Sequence, residues 1–383
     1  MKKIIILGGS HRDIPLIKAS QELGYFVITI GSKGHYLGHK YADKKYLVDF
    51  NNTPKVKEIF ALEGASFFLP GSGEESYMRA LEISNELGIG NFDKNEVAHL
   101  IHNKWSFKKF CLKNKIYTPN GLIYKDGLDL SKLEFPLIIK PFNLSGGRGV
   151  KVVKNSNELI SAIKNSKKFS PDLFLEEFIE GRLIAYSVII RKKQVAYSFI
   201  ASDDTFINKY LITTAYTLEI SSELEKVMRN QVNKISHSLG LVDGMFHLQI
   251  IIKNNKPYLI DVTRRIPGDF FPNLIELSDG LSYSKAVVLS YLGHDFSREL
   301  KHYKRSKFVI RHCVMAEKNG IFSHIKIDQE IEKSIVFRFD IINENSQITN
   351  YMNEQIAIFL FSFDQEREDL CLKINHLVKA III

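Results

Sequence analysis

Short apolar runs alternate with helical stripes over the first hundred residues. Residues 3–7 (KIIIL) form an unbroken apolar run ending in Gly8-Gly9-Ser10. That is the pattern of a buried parallel strand turning into a helix. Ile14, Leu16, Ile17, Ala19, Ser20 and Leu23 carry a helical stripe that stops at Gly24, and Tyr25 to Ile30 reads as a second strand. FFLP (67–70), a turn GSGEES (71–76) and a helix from Tyr77 to Leu87 continue the alternation. Residues 1–100 therefore read as an α/β domain.

The pattern then changes. A helix over Asn103 to Asn114 precedes a strand from Phe135 to Pro141, a loop NLSGGRG (143–149) and a strand GVKVV (149–153). Asn155-Ser156-Asn157-Glu158 reads as a helix start with a reciprocal cap. LFLEEFIEG (173–181) is a strand entering a turn, and Ile184 to Ile200 is a hairpin around Arg191-Lys192-Lys193. Leu224, Met228, Val232, Ile235 and Leu239 give a strong helix over Ser222 to Leu239, with Ser222 and Glu225 as a second capping pair. Residues 245–263 are two strands joined at Asn254-Asn255. From about residue 296, strands mix with a final helix, Glu366 to Val378, and no chemical motif stands out.

Composition narrows this picture modestly. The 383 residues suffice for two or three domains, and 45% apolar with 25% charged residues is an ordinary globular balance. Three widely spaced cysteines, Cys111, Cys313 and Cys371, argue against structural zinc and for a reducing cytoplasm. The apolar run Ile4 to Leu7 is too short for a secretory core, and nothing approaches the roughly 20 residues of a membrane span. Fifty-two Lys plus Arg against 43 Asp plus Glu leave a charge of +9. No basic-aromatic motif accompanies it, so a small anionic ligand is expected and not a nucleic acid.

Three segments are able to carry chemistry. Lys140, inside an apolar strand, precedes the loop Ser145-Gly146-Gly147-Arg148-Gly149; glycines let backbone N–H groups approach phosphate oxygens. A buried ammonium needs an anion, and a nucleotide phosphate is a natural one. The chain has no Gly-Lys dipeptide, which excludes a Walker A loop. In the second segment, MFHLQIIIKNNKPYLIDVTRR (245–265), His247 and Gln249 share one strand face, as do Asp261 and Thr263. An odd-numbered loop sets Gln249 opposite Asp261 so that all four converge; a two-residue turn at Asn254-Asn255 sets them on opposite faces. Oxygen donors there suit Mg²⁺. The third segment is Glu176-Glu177-Phe178-Ile179, where backbone groups at a strand end are able to meet a base edge. The bland reading of each is a surface turn, a solvent-facing strand side or a plain strand end.

The order of these pieces resembles the ATP-grasp superfamily of carboxylate–amine ligases. The matching stretches are LGGSHRDIPLIKASQELGY, LPGSGEESYMRALEISNELGI, NKWSFKKFCLKNKIYTP, FPLIIKPFNLSGGRGV, LFLEEFIEG and GMFHLQ…YLIDVTRRIPGDF, over about residues 1–295. The tail from 296 looks like the closing subdomain of the L-amino-acid ligase and biotin carboxylase branches. The resemblance implies an α/β and α+β ATP-grasp fold: an N-terminal Rossmann-like pre-ATP-grasp domain (1–100), an ATP-grasp domain (101–295) with its glycine-loop subdomain at about 115–180, and a small C-terminal closing domain (296–383). It implies that ATP meets Lys104, Lys140, Ser145, Gly146, Gly147 and Gly149, with adenine at Glu176, Glu177, Phe178 and Ile179. Gln249, Asp261 and Thr263 fall where the family usually has Glu, Glu and Asn around Mg²⁺, and Arg265 matches the arginine that steadies an acyl phosphate. His247, Arg265, Asp269 and Glu74 become expected contacts for small-molecule carboxylate and amine substrates, and a homodimer is expected because relatives are often dimers.

Departures from the family pattern keep two rivals in view. Leu183 replaces the usual ribose-binding acid, for which Glu180 is a substitute, and Gln249 and Thr263 leave Asp261 as the one formal charge at the metal position. A degenerate, nucleotide-binding protein without turnover is the first alternative. An NAD(P)-dependent oxidoreductase built on the N-terminal βαβ unit is the second; the missing GxGxxG and the absence of an acid after Ile30 argue against it.

Overall fold

The computed structural model describes residues 2–130, 133–141, 149–301 and 303–383. Four parallel strands, in the order Lys44–Tyr46, Phe26–Ile30, Lys3–Leu7 and Phe67–Pro70, form the N-terminal sheet. Ile4 to Leu7 are fully buried, as a strand covered by helices on both faces must be. The helix predicted from Tyr77 begins three residues earlier and spans Glu74–Leu87. Glu74 and Glu75 form its first turn, where acidic side chains complement the positive end of the helix dipole.

Two further sheets frame a cleft. The strands Gly121–Ile123, Leu173–Glu177, Leu137–Pro141 and Lys151–Val153 make an antiparallel four-stranded sheet. Its Leu137, Ile139, Val153, Leu173 and Leu175 face helix Ser156–Ser166 and form a separate small core. That helix has one half of the reciprocal cap expected of it: Asn155 accepts from the Glu158 N–H (3.0 Å), whereas Glu158 accepts from the Lys154 N–H (2.9 Å), one residue before the cap.

The larger antiparallel sheet has eight strands, in the order Lys256–Thr263, Gly244–Lys253, Arg182–Arg191, Gln194–Asp204, Thr214–Thr217, Phe308–Met315, Gln355–Phe363 and Ile335–Asp340. Strands from beyond residue 296 thus extend the sheet that carries the 245–263 hairpin. The final helix predicted over Glu366 to Val378 is instead two four-residue helical turns, Glu368–Cys371 and Ile374–Leu377, followed by the strand Val378–Ile382. This apolar, isoleucine-rich terminus pairs with Gly320–Ile327, and that pairing ends the helix. The long helix spans Ser222–Leu239 as predicted, but its cap is Ser221, which accepts from the Leu224 N–H (3.2 Å). Glu225 is not in a capping pair; it bonds Ser198 and Arg229.

The hairpin at 245–263 answers its register question in an unexpected way. The turn has two residues, Asn254 and Asn255, both left-handed (φ 51° and 56°), and Lys253 pairs with Lys256. Continued without interruption, that ladder sets Gln249 opposite Ile260. A bulge at Ile260 intervenes, so Gln249 pairs with Asp261 and His247 with Thr263. The four side chains therefore share one face despite the even-numbered turn. Beside the bulge, the connecting segment Tyr117–Thr118 docks on this edge strand. The Leu259 N–H donates to Tyr117 O (2.8 Å), and Thr118 Oγ1 donates to Leu259 O (3.0 Å).

Candidate functional site

A cleft lies between the two antiparallel sheets. Lys104, Lys108, Lys140, Phe174, Glu176 and Asp261 all line it. Strand alternation directs Lys140 and Glu176 away from the small core and into this cleft. Glu176 bonds both Lys140 and Lys108, one through each carboxylate oxygen, and Lys108 also donates to Pro119 O (2.7 Å). The anionic partner that a buried Lys140 demands is thus supplied by Glu176 and does not require a nucleotide phosphate. Burial lowers the Lys140 ammonium to about 8, with Lys104 adding to the effect. Burial and Lys140 lower Lys108 to about 7, with Cys111 and Glu177 opposing the shift. Two cations on one carboxylate leave a positive surplus, to which the exposed Lys104 adds.

Lys104 is the first residue of helix Lys104–Lys113, capped by Asn103, which accepts from the Ser106 N–H (2.9 Å). Lys108 stands one turn further on the same helix face. The sequence reading missed it; its signal was a lysine four residues after Lys104 and beside the apolar Phe107 and Cys111.

Across the cleft, Asp261 is exposed and makes no ion pair among the described residues; its Oδ1 accepts from the adjacent Val262 N–H (2.9 Å). Gln249 stands opposite it. Among the described residues no three His, Cys, Asp or Glu side chains gather into a metal cluster. One open carboxylate with an amide oxygen fits a Mg²⁺ that brings most of its ligands as phosphate and water. Thr263 Oγ1 accepts from the Arg265 N–H (3.2 Å), which ties the strand end to that arginine.

Arg265 is half-buried, and its buried Nε has no partner among the described residues. Burial lowers the guanidinium, while Glu74 and Asp261 oppose the shift. His247 bonds Ser187 Oγ through Nδ1 (2.6 Å) and packs edge-on against Phe271. Burial, with Arg265 nearby, lowers it to about 3, so the ring is neutral at ordinary pH. Glu74 Oε1 lies 3.7 Å from His102 Nδ1, and this contact, with Arg265 and Lys104, lowers its carboxyl. Asp269 departs from its expected role. Its oxygens are engaged by Arg12 Nε (2.7 Å), His11 and Gln355, so it joins the N-terminal sheet to the eight-stranded one.

A cavity of about 770 Å³ opens at the carboxyl ends of the parallel strands, lined among others by His11, Arg12, Lys33, Asp49 and Glu75. A second, of about 760 Å³, shares Asn51, Glu75 and Ser76 with it and reaches Lys104. The glycine turn beside the first cavity holds no open anion cradle. Asp13 accepts from the Gly9, Ser10 and Ser72 N–H groups (2.8, 2.8 and 2.7 Å). A Cβ at Gly8 meets Asp13 Oδ2 at 2.6 Å, so glycine is what admits the carboxylate. The N–H groups that hold a pyrophosphate in a dinucleotide site are already satisfied here.

Ser145, Gly146, Gly147 and Arg148 lie outside the described residues; Gly149 is left-handed (φ 72°) and lies against Pro141 and Phe169. Ile179 is buried, the Glu177 N–H donates to Asn120 O (2.8 Å), and the Phe178 N–H donates to Pro136 O (3.0 Å). Leu183 lies on strand Arg182–Arg191, and Glu180 is exposed just before it. No helix among the described residues is long and apolar enough to cross a membrane.

Known proteins share this arrangement. Relatives include the carbamoyl phosphate synthase large chain of Pseudothermotoga lettingae, 23% identical over 330 residues, which are 79% of this chain and 29% of that one. The chain thus matches less than a third of that protein's length. The D-alanine–D-alanine ligase of the same organism is 24% identical over 312 residues, 76% of this chain and 96% of the relative. Among solved structures, an L-amino acid ligase from Bacillus licheniformis superposes with a TM-score of 0.86 at 17% identity, covering 100% and 99% of the two chains. A phosphoribosylglycinamide synthetase from Anaerococcus prevotii gives 0.81 at 20% identity with both chains fully covered. At such identities the superpositions establish the fold. A family model for the ATP-grasp domain matches residues 101–269 of the chain.

Proposed function

We propose that this protein is an ATP-dependent carboxylate–amine ligase that releases ADP and phosphate. The observation that carries the reading is the meeting of Lys104, Lys108, Lys140, Glu176 and Asp261 in one cleft between two sheets, with Arg265 within electrostatic reach of Asp261. Lys104 and Lys140 are placed to neutralise nucleotide phosphates, and Asp261 with Gln249 to hold a Mg²⁺ that accompanies them. Mg²⁺ supplies charge neutralisation at the phosphoryl oxygens. Gly149 and the loop before it, with the backbone of Glu177 and Phe178 and the apolar Ile179, complete the nucleotide side. Glu74 and His247 flank Arg265 on the substrate side.

In the first step a substrate carboxylate oxygen bonds to the γ-phosphorus, and the bond to the bridging oxygen breaks as ADP departs. In the second, an amine nitrogen bonds to the acyl carbon and the acyl–phosphate bond breaks; phosphate leaves and the amine proton passes to phosphate or water. Arg265 faces the charge that develops on the transferring group. Preorganised positive charge in a dry cleft is the main catalytic resource available to these residues. Incubation with ATP, Mg²⁺ and pooled carboxylates and amines is expected to yield ADP and phosphate together. AMP with pyrophosphate overturns the mechanism.

One observation favours a second reading, that of a nucleotide-binding protein without turnover: Asp261 is the one carboxylate at the metal position. The same assay separates the two, because that reading requires nucleotide binding with no substrate-dependent ADP release.

A further inference from the structure

Two lysines share the Glu176 carboxylate, and the cleft holds them differently. Glu176 is 2% exposed, and among the described residues its carboxylate bonds only Lys108, through Oε1, and Lys140, through Oε2. The Lys108 side chain is 6% exposed. Its ammonium also donates to Pro119 O (2.7 Å) and lies 5.5 Å from the centroid of the Phe174 ring. Lys140 is 21% exposed, and Glu176 is its one bonded partner among the described residues. Lys108 is therefore fixed on three sides, whereas Lys140 is held at one point and is more open to the cleft that both line.

That asymmetry matters when an anion enters. An ammonium that serves a phosphate has to turn away from the carboxylate it meets at rest. With Lys140 as the sole cation on Glu176, its departure strands a buried carboxylate or forces a proton onto it. Lys108 removes that obstacle. It belongs to a separate element, the helix Lys104–Lys113, and stays with Glu176 whichever way Lys140 turns. The two ammonium groups also repel, and Lys140 is part of what lowers Lys108 to about 7. As Lys140 moves toward a phosphate that repulsion weakens, so Lys108 holds its proton more firmly at the moment Glu176 depends on it.

We propose that Lys108 is a positioning residue for nucleotide binding, the standing counter-ion of Glu176 that frees Lys140 to turn to a nucleotide phosphate. It acts through Glu176 and does not itself meet the phosphates. The assignment rests on the ligase reading, because a nucleotide is what draws Lys140 away.

The test measures ADP affinity of the full chain by calorimetry with Mg²⁺ present, together with the melting temperature of each variant. Lys108→Met is expected to bind ADP at least about tenfold more weakly than the parent, since Lys140 is then the one cation bonded to Glu176. Adding Glu176→Gln to Lys108→Met is expected to recover at least about tenfold, because no carboxylate remains to retain Lys140. A mere tie between helix and sheet is not repaired by removing the second of its two partners. Lys108→Gln, which keeps a donor for Pro119 O, is the second variant and carries the same expected loss and recovery where Lys108→Met does not fold. ADP binding by the single variant within about threefold of the parent overturns the proposal, as does a double variant that binds no better than the single one. Absence of ADP binding in the parent counts against the ligase reading, whereas ADP binding indifferent to Lys108 counts against this assignment alone.

Discussion

Arg264 and Arg265 are neighbours of the same type, and the fold treats them oppositely. Arg264 is 4% exposed and saturated: Nε donates to Asp93 Oδ2 (2.8 Å), NH1 to Met245 O (2.6 Å) and NH2 to Val242 O (2.9 Å). Arg265 is half-buried, its buried Nε is unpartnered among the described residues, and it lies within electrostatic reach of Glu74 of the N-terminal unit and Asp261 of the hairpin. Both residues follow the end of the strand Lys256–Thr263, where the chain bends and sends one guanidinium to Asp93 and the other toward Glu74 and Asp261. A saturated buried charge is a structural tie. An unsaturated one is a binding group awaiting its ligand, and residue type alone does not tell them apart.

The contrast has a large consequence for stability. Arg264→Met leaves the Asp93 carboxylate buried without its countercharge and is expected to cost about 3–5 kcal/mol in denaturant unfolding. Arg264→Met combined with Asp93→Leu is expected to recover much of that loss, because no lone ion remains. If the single substitution costs under about 1 kcal/mol, the tie is not structural. Arg265→Met reverses the pattern. It is expected to leave the melting temperature at or above that of the parent, since a desolvated, under-bonded cation is removed, and to lower ADP release about 10²–10³-fold. Full activity in that variant removes Arg265 from the chemistry.

A smaller effect comes from two histidines on either side of the same contrast. His247 faces the cleft beside Arg265, and His312 bonds Thr214 (2.7 Å) beside Arg311; burial lowers each to about 3. The unfolded chain takes up these protons near the ordinary pKa of about 6.5, and the folded chain does not until about pH 3. The unfolded state thus binds more protons across that window, and stability falls as pH drops below about 6.5. The expected slope is about 1.4 kcal/mol per pH unit for each histidine between roughly pH 6 and 5. Unfolding curves across that range measure it, and His312→Gln should remove about half the slope. A flat profile contradicts the neutral, buried state of both rings.

Much of the architecture was legible in residue order. The run KIIIL, the stripe from Ile14 to Leu23, FFLP and the 222–239 helix all form as their periodicity dictates, because each buries a contiguous apolar face. Lys140 was legible as a lysine in an apolar strand, but its counter-ion was not: Glu176 lies 36 residues away. The role of Asp13 was not legible, since nothing local reveals that Ser72 also donates to it. Lys108 was missed for the same reason, its counter-ion Glu176 lying 68 residues away.

The hairpin at 245–263 marks the boundary between the two kinds of information. Sequence by itself determined that Gln249 and His247 share a face, that Asp261 and Thr263 share a face, and that Asn254-Asn255 turns the chain, because alternation and left-handed propensity are local properties. Whether the two pairs meet was decided by the tertiary structure. The bulge at Ile260 lies on an edge strand whose Leu259 is held by Tyr117 and Thr118, more than 100 residues away in the chain. One extra residue there returns Asp261 to the face of Gln249, and no local pattern of apolar and polar residues encodes a contact over that distance.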